Sequence, residues 1–269
     1  MRTICVVIPT YNEAQNLPGL TAQIERALRS SDFEMLVIDD NSPDRTARIA
    51  ERLNKIYGNI TVRVQAKKSG LGVALLAGLK AALSKKEVQR IVTLDADFSH
   101  DPNDIPRLLR AAEAADLVQG SRYVRNGAVV NWGFKRRLIS CIANLICNLL
   151  IKTSTRDCTG NFRVYSRECA EAIVHSAKSR GFEWVVEAMM IAKQNGFRVK
   201  EVPITFADRK EGKTKLKSSQ VFNWGVFAVR NLIPHKFLIH SAVGHSSFAS
   251  QRSSTLATTE TPPITSTTM

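Results

Sequence analysis

The sequence predicts one main α/β domain, built on a mixed but mostly parallel sheet with helices on both faces. Two observations lead to this fold class. First, apolar, β-branched runs alternate with helix-like segments over the first 120 residues, as in a chain of βα units. Second, three of the apolar runs end abruptly in loops that carry acidic side chains. Because parallel strands present their carboxyl ends at one edge of a sheet, that edge is also the predicted ligand site.

Length and composition limit the classes of protein, and of binding partner, that fit this chain. A chain of 269 residues with 44% hydrophobic and 23% charged residues can bury one good core. The net charge of +14 is spread along the chain and indicates anionic partners: phosphorylated substrates, an acidic membrane surface or nucleic acid. Nucleic acid has the least support, because zinc-finger spacing, an RNP-like aromatic run and a basic region with heptads are all absent from the sequence. The five cysteines form no C-x-x-C pair and predict reduced, buried thiols.

The first βα unit is predicted from residues 3–8, an apolar run typical of a buried strand, and from an amphipathic helix that follows the segment 9–13, Pro-Thr-Tyr-Asn-Glu. A nicotinamide- or flavin-binding Rossmann protein needs a glycine-rich turn at this place, so the segment argues against that class. The Tyr11 ring can instead stack on a nucleotide base. Glu13 and Asp40 can accept hydrogen bonds from the base or the ribose. The predicted buried face of the helix consists of Leu17, Leu20, Ile24 and Leu28.

The second and third βα units follow the same pattern. Residues 34–38 predict a buried strand, which ends in the acidic segment 39–44, Asp-Asp-Asn-Ser-Pro-Asp. The Ser-Pro pair at 42–43 is typical of a helix N-cap and first turn, so a helix is predicted from that point. Residues 61–65 predict a third strand, which leads into a glycine-bearing loop and an alanine-rich helix within residues 67–83. The residues predicted to face inward on the second helix are Ala50, Leu53 and Ile56.

The fourth strand, Ile91–Leu94, ends in two carboxylates, Asp95 and Asp97, and precedes a helix predicted at 103–115. Two carboxylates on a short loop suit a hard divalent cation that bridges to phosphates, although an isolated pair more often consists of solvated loop acids or helix caps. Neighbouring strand ends should bring several acids together, and their repulsion requires that cations or hydrogen-bond donors occupy the site. The acids predicted to crowd there are Glu13, Asp39, Asp40, Asp95 and Asp97.

Beyond residue 120 the regular alternation ends. The predicted elements are a strand at 116–120, a loop at 121–132, a helix at 135–152, a strand at 161–165, a helix containing Trp184, Glu187 and Met190, and a strand at 198–206. The predicted organisation is a folded domain at 1–217, an apolar, amphipathic segment at 218–239 and a disordered Ser/Thr-rich tail at 240–269. No signal peptide is predicted, and the apolar stretch 138–151 is too short to span a bilayer.

Five motifs in the first half occur in a characteristic order: Val-Ile-Pro-Thr-Tyr-Asn-Glu at 7–13, Asp-Asp-Asn-Ser-Pro-Asp at 39–44, Gly-Leu-Gly at 70–72, Asp-Ala-Asp-Phe-Ser-His-Asp-Pro at 95–102 and Gly-Ser-Arg-Tyr at 120–123. Together they resemble glycosyltransferase family 2, whose members have the GT-A fold. Later motifs narrow the resemblance to the polyprenol-phosphate (dolichol-phosphate) mannose synthases, and they lie at 132–140, 157–163, 201–204 and 208–216.

The resemblance implies inverting transfer of mannose from GDP-mannose to dolichyl or polyprenyl phosphate, with Mg²⁺ or Mn²⁺ bound by Asp95, Asp97 and Ser99. It implies that the donor is held by Pro9, Tyr11, Glu13, Ile38, Asp40, Asp95, Ala96, Asp97, Ser99, Arg122, Arg209 and Lys215. Asp97, Arg209 and Lys215 are the implied catalytic residues. Arg136 and Ser140 are the implied ligands of the acceptor phosphate, and their spacing of four places a guanidinium and a hydroxyl on one helical face.

The resemblance also implies a peripheral position on the cytosolic face of a membrane, and a small membrane-anchoring subunit is a possible partner. Three alternatives remain open. The first is another polyprenyl-phosphate glycosyltransferase that uses UDP-glucose. The second, a sugar nucleotidyltransferase, is disfavoured because it needs a glycine-rich triphosphate loop near the first strand. The third is a protein that binds nucleotide sugars without catalysis.

Overall fold

A seven-stranded sheet forms the centre of the computed structural model, which describes residues 3–151 and 155–208. The strands are β1 (Ile4–Thr10), β2 (Phe33–Asp39), β3 (Ile60–Val64), β4 (Arg90–Thr93), β5 (Leu117–Ser121), β7 (Arg163–Ser166) and β8 (Val199–Pro203). Their spatial order is β3-β2-β1-β4-β7-β5-β8. β7 runs antiparallel to both of its neighbours, and the other pairs are parallel. The predicted mixed, mostly parallel sheet is therefore confirmed.

Helices cover both faces of this sheet. They are α1 (Leu17–Ala27), α2 (Thr46–Tyr57), α3 (Leu71–Leu83), α4 (Ile105–Ala111), α5 (Phe134–Ile151), α6 (Arg167–Ser176) and α7 (Glu183–Gln194). Successive side chains of β1 enter two different cores, because strand residues alternate between the faces. Cys5 and Val7 pack with α3, α6 and α7, whereas Val6 and Ile8 pack with α1, α2 and α4. All seven residues of β2 are buried, as expected of a strand covered on both faces.

The start of α2 differs from the prediction. Ser42 does not cap this helix, because its hydroxyl donates to Asp39 Oδ1 at 2.5 Å. The chain instead turns through Arg45, which has a left-handed backbone with φ of 67°, and α2 begins at Thr46. Asp44 accepts hydrogen bonds from the backbone nitrogen and the hydroxyl of Thr46. The predicted inward position of Ile56 is also wrong, since 72% of this residue is exposed.

The second half of the domain contains elements that the sequence did not predict. β6 (Ala128–Val130) lies within the predicted loop and pairs in parallel with β9 (Thr205–Ala207) in a small second sheet. The strand predicted at 198–206 is thus two strands separated by Ile204, whose backbone nitrogen bonds to Ser121 and whose carbonyl accepts from Ala128. α6 was not predicted. The helix predicted at 103–115 is a 3₁₀ turn at Pro102–Asp104 followed by the short α4.

Helix α5 carries a row of exposed apolar side chains. The predicted helix at 135–152 is confirmed, with bounds Phe134–Ile151. Its outer surface presents Leu138, Ile139, Ile142, Leu145 and Leu149, each about half or more exposed. Four of them recur at steps of four, three and four, so they share one side of the helix. Among the helices in residues 3–151 and 155–208, none has the length and apolar composition needed to cross a bilayer.

Candidate active site

The Asp95–His100 loop leaves the carboxyl end of β4, as predicted. Asp95 Oδ1 accepts a hydrogen bond of 3.0 Å from the side-chain amide of Asn161, a residue just before β7. The backbone of Asn161 is fixed in turn, because its carbonyl accepts from the Thr93 hydroxyl at 2.7 Å. The Asp95 side chain remains 31% exposed. Asn161 therefore holds one carboxylate oxygen of Asp95 and leaves Oδ2 for a ligand.

Asp97 is buried and orders the turn that follows it. Phe98 has a left-handed backbone with φ of 59°, which bends the chain back so that Ser99 faces Asp97. Asp97 Oδ1 accepts from the backbone nitrogen and the hydroxyl of Ser99, at 3.1 and 2.6 Å. Ser99, a predicted metal ligand, thus donates its hydroxyl hydrogen to Asp97. Its oxygen keeps lone pairs for a ligand.

The carboxylates at this edge accept hydrogen bonds from groups close to them. Asp39 accepts from Thr10 and Ser42, and Asp40 accepts from the backbone nitrogens of Ser69 and Gly70 at 2.7 and 2.9 Å. In the part of the chain that the structure describes, no group of three or more acidic, histidine or cysteine side chains could hold a metal ion. Local N–H and O–H donors thus compensate Asp39, Asp40 and Asp97, as the prediction of donors at this site requires, and the crowding of the five acids stays a prediction.

The donor set fits a divalent cation that arrives with a diphosphate. Mg²⁺ is usually held by one or two protein carboxylates, and phosphate oxygens and water complete its coordination. Asp95 and Asp97 provide such a pair, one residue apart on a single loop. The described residues by themselves do not provide a closed cage of ligands.

His100 supports this loop from behind. It is almost fully buried, and its ring lies 5.1 Å from the Phe162 ring and 5.2 Å from the Phe206 ring, measured between centroids. Its Nδ1 accepts a 3.2 Å hydrogen bond from the backbone nitrogen of Asp95, which requires an unprotonated Nδ1. Burial lowers the pKa of His100, against the opposing attraction of Asp95 and Asp97. His100 is therefore a neutral acceptor that fixes the start of the loop.

Side chains suited to a nucleotide lie along the ends of β1 and β2. The ammonium of Lys68 lies 3.4 Å from the centroid of the Tyr11 ring, a cation–π contact. Glu13 is buried and accepts from the Asn16 amide at 2.7 Å. Pro9 pairs with Ile38 across β1 and β2, and the Ile38 side chain is fully buried in the core. Ala96 is also buried. Lys68 had no predicted role, and only the folded chain brings it to Tyr11.

Arg122 forms a buried ion pair that the sequence did not reveal. Its Nε and terminal nitrogen contact the two carboxylate oxygens of Asp157, each at 2.7 Å, and the terminal nitrogen also reaches the Thr159 hydroxyl at 2.7 Å. Burial alone would raise the pKa of Asp157, but the adjacent Arg122 charge and its hydrogen bonds outweigh burial and lower it. The rings of Trp132 and Phe206 lie within 6 Å of the guanidinium. Arg122, a predicted donor ligand, is thus held by protein groups on several sides.

The predicted acceptor residues are only partly visible. Ser140 lies on α5 and accepts a 2.7 Å hydrogen bond from the Tyr123 hydroxyl. Position 136 lies in the first turn of α5, but the Arg136 side chain is outside the described part of the structure. Arg209 and Lys215, together with the segments 218–239 and 240–269, lie outside the described residues as well.

A polar cleft of about 550 Å³ opens between α1, the segment that follows the Asp95–Asp97 loop, and β9. Its lining includes Gln23, Arg26, His100, Asn103 and Arg107. None of the predicted donor, metal or acceptor residues whose side chains the structure describes lines it. The described residues of the predicted site thus do not form this cleft.

A family model and two sequence relatives agree on the kind of protein that this chain resembles. The family described as "Glycosyl transferase family 2" matches residues 5–174. The polyprenol monophosphomannose synthase of Mycolicibacterium smegmatis is 39% identical over 231 residues, which cover 82% of this chain and 86% of that protein. The undecaprenyl-phosphate mannosyltransferase of Micrococcus luteus is 35% identical over 233 residues, or 84% of this chain and 95% of that protein.

Solved structures with the same fold include the glucosyl-3-phosphoglycerate synthase of Mycobacterium tuberculosis. Its complex with Mn²⁺, UDP and glucosyl-3-phosphoglycerate superposes with a TM-score of 0.61 at 18% identity, over 86% of this chain and 78% of that one. Its complex with Mg²⁺ and UDP gives a TM-score of 0.60 at 17% identity, over the same fractions of the two chains. At such low identity the likeness concerns the fold alone.

Proposed function

This chain belongs to glycosyltransferase family 2 and has the GT-A fold, and on that basis we propose that it transfers mannose from GDP-mannose to the phosphate of a polyprenyl phosphate. It is a glycosyltransferase. The carboxylate pair Asp95 and Asp97 at the end of β4 carries the proposal, because a donor diphosphate with a divalent cation is the ligand that this pair suits. The names of the two relatives support mannose as the sugar and a polyprenyl phosphate as the acceptor.

Asp95 and Asp97 would hold Mg²⁺ or Mn²⁺, which when bound supplies positive charge that stabilises a departing nucleoside diphosphate. Asn161 orients Asp95 for this contact, and Ser99 orients Asp97. Tyr11 provides a flat apolar surface for the base. Lys68, which lies over that ring, places a positive charge at the nucleotide end of the site.

The acceptor needs no strong general base. A phosphate monoester is already an anion near neutral pH, so its oxygen can attack the anomeric carbon directly. The protein must align attacker and leaving group and must offset the repulsion between two phosphate centres. Ser140 and Arg136 are proposed for the acceptor phosphate, and Arg209 and Lys215 for the donor phosphates. A single displacement of this kind inverts the anomeric configuration.

A transfer assay tests the donor and the metal together. The purified protein is given radiolabelled GDP-mannose and a short polyprenyl phosphate in detergent, with Mg²⁺ or Mn²⁺ present or chelated by EDTA. We expect label in the lipid phase only when metal is present. Label from UDP-glucose but not from GDP-mannose would replace the proposed donor. Absence of transfer from every nucleotide sugar would contradict the proposed reaction.

Association with a membrane surface is proposed from α5. Its exposed row of Leu138, Ile142, Leu145 and Leu149 is apolar, and three basic residues precede the row at 135–137. A helix with one apolar side and basic flanks suits the boundary between headgroups and acyl chains of anionic lipid. A separate anchoring subunit remains a further proposal.

Vesicle binding tests the α5 surface. We expect Ile142→Asp with Leu145→Asp to weaken co-sedimentation with phosphatidylglycerol vesicles by at least about tenfold, because two half-exposed apolar side chains no longer enter the lipid. The control is Ile56→Asp, which places the same charge at an exposed isoleucine on α2. If the α5 variant binds vesicles as tightly as the control does, α5 is not the membrane surface.

A further inference from the structure

We infer that Tyr123 is a positioning residue for the acceptor: its hydroxyl directs the hydrogen of the Ser140 hydroxyl toward the polyprenyl phosphate. The inference rests on the proposed function, in which Ser140 contacts the acceptor phosphate. It adds Tyr123, for which the sequence suggested no role, and it assigns this residue to the acceptor side of the reaction.

The hydrogen bond between the two hydroxyls determines what Ser140 can offer. Tyr123 Oη donates to Ser140 Oγ at 2.7 Å. A serine hydroxyl has one hydrogen to donate and two lone pairs, and Tyr123 fills one of the lone pairs. Within residues 3–151 and 155–208, no group accepts the remaining hydrogen of Ser140 in a hydrogen bond. A phosphate bears only acceptor oxygens and can therefore take that hydrogen.

The donor direction of Tyr123 is favoured by its surroundings. The ring is partly buried next to the Arg122 guanidinium, at 5.3 Å from the ring centroid. Burial raises the pKa of Tyr123, and this effect outweighs the nearby positive charge of Arg122, which lowers it. The phenol thus stays protonated and keeps a hydrogen to donate. A positive neighbour also draws electron density from the phenol oxygen, which makes its O–H a better donor.

The turn of α5 that carries Ser140 is fixed by a second set of contacts. The Asn144 side-chain amide donates to the Ser140 carbonyl at 3.0 Å and to the Thr159 hydroxyl at 3.3 Å. The Asn144 side-chain oxygen accepts from the Cys158 backbone nitrogen at 2.8 Å. The Ser140 backbone is therefore held independently of Tyr123. Removal of the phenol hydroxyl should allow the Ser140 hydroxyl to rotate, while the position of the helix stays the same.

A double-mutant cycle on acceptor binding tests this inference. The affinity of farnesyl phosphate in detergent is measured by calorimetry for wild type, Tyr123→Phe, Ser140→Ala and the double variant. We expect Tyr123→Phe to raise the Kd about 5- to 10-fold, the size of one hydrogen bond to a charged group. The double variant should bind no more weakly than Ser140→Ala, because the tyrosine acts only through the serine. Tyr57→Phe on α2 is the matched control and should leave binding unchanged.

Steady-state kinetics separate positioning from a structural role. We expect the KM for the acceptor to rise in Tyr123→Phe, with the KM for GDP-mannose and the thermal midpoint unchanged. An unchanged Kd in Tyr123→Phe, or a double variant whose loss is the product of the two single losses, would overturn the inference. If wild type binds farnesyl phosphate but transfers no mannose, the proposed function fails and the binding cycle still decides about Tyr123. If wild type does not bind farnesyl phosphate, both proposals fall.

Discussion

Replacement of Asp97 by alanine is expected to lower the rate of sugar transfer by on the order of 10³-fold. The residue is buried, and its carboxylate shares a single short loop with Asp95. In the proposed reaction, Asp95 and Asp97 would together hold the cation that neutralises the donor diphosphate, so loss of one carboxylate would leave the charge of the leaving group less well compensated. Single-turnover transfer with GDP-mannose measures the effect on the chemical step.

Two further variants make this result specific. Asp97→Asn keeps an oxygen that can accept from Ser99 and removes the negative charge, so a similar loss is expected if the charge matters. Asp101→Asn is the control. Asp101 lies four residues after Asp97 and caps the 3₁₀ turn at Pro102–Asp104, and asparagine is an equally good cap. It should retain activity within about twofold. Full transfer activity in both Asp97 variants would contradict the proposed role of Asp97 in holding the metal and the donor diphosphate.

Replacement of Asp157 by asparagine is expected to destabilise the fold by about 3–5 kcal/mol, because Arg122 is then a buried charge without a counter-ion. For a domain of this size the midpoint of thermal unfolding should fall by roughly 10 °C. The control is Asp116→Asn, which breaks the exposed pair with Arg198 and should change the midpoint little. Differential scanning calorimetry of the three proteins measures these shifts.

A double variant and the pH dependence of stability provide two further tests of the Arg122–Asp157 ion pair. Arg122→Met combined with Asp157→Asn should recover at least about half of the loss, since neither charge is then buried alone. Because the pKa of Asp157 is lowered in the fold, the pair stabilises the protein above the pKa of an unfolded carboxyl, about 4, and the contribution is lost as pH falls further. The difference in the midpoint of thermal unfolding between wild type and Asp157→Asn should therefore become smaller below about pH 4. A difference that is constant down to pH 3 would show that the charge is not responsible.

The sequence predicted the elements whose signals are local. The strands β1, β2 and β4 are continuous apolar runs, and the Asp95–Asp97 loop begins where such a run stops, so short-range patterns were sufficient. The boundaries of α2 were not predictable, because Ser42 has a closer partner in Asp39 across the turn. A side chain that could cap a helix can also form hydrogen bonds with other nearby groups, and the fold determines which partner it has.

The parts of the site that escaped prediction involve contacts between distant residues. Asn161 lies 66 residues from Asp95, and Asp157 lies 35 residues from Arg122. Single residues at such separations carry no periodicity that could link them. The motif at 157–163 marked this segment as notable, but only the structure reveals which carboxylates and cations it joins.

β7 lies in the sheet between β4 and β5, which both precede it in the chain, and this position affects the order in which the domain can form during synthesis. Among the described strands, β5 pairs with β7 and β8 alone, and both are later in the chain. When the first 121 residues have left the ribosome, β5 therefore has no strand to join and β4 ends the sheet. Residues 157–161 also reach the ligand edge only as β7 enters between β4 and β5. The nascent chain thus joins β5 to the sheet and adds Asp157 and Asn161 to the candidate site in the same late step, so a truncated product ending before β7 would have an open sheet edge and an incomplete site.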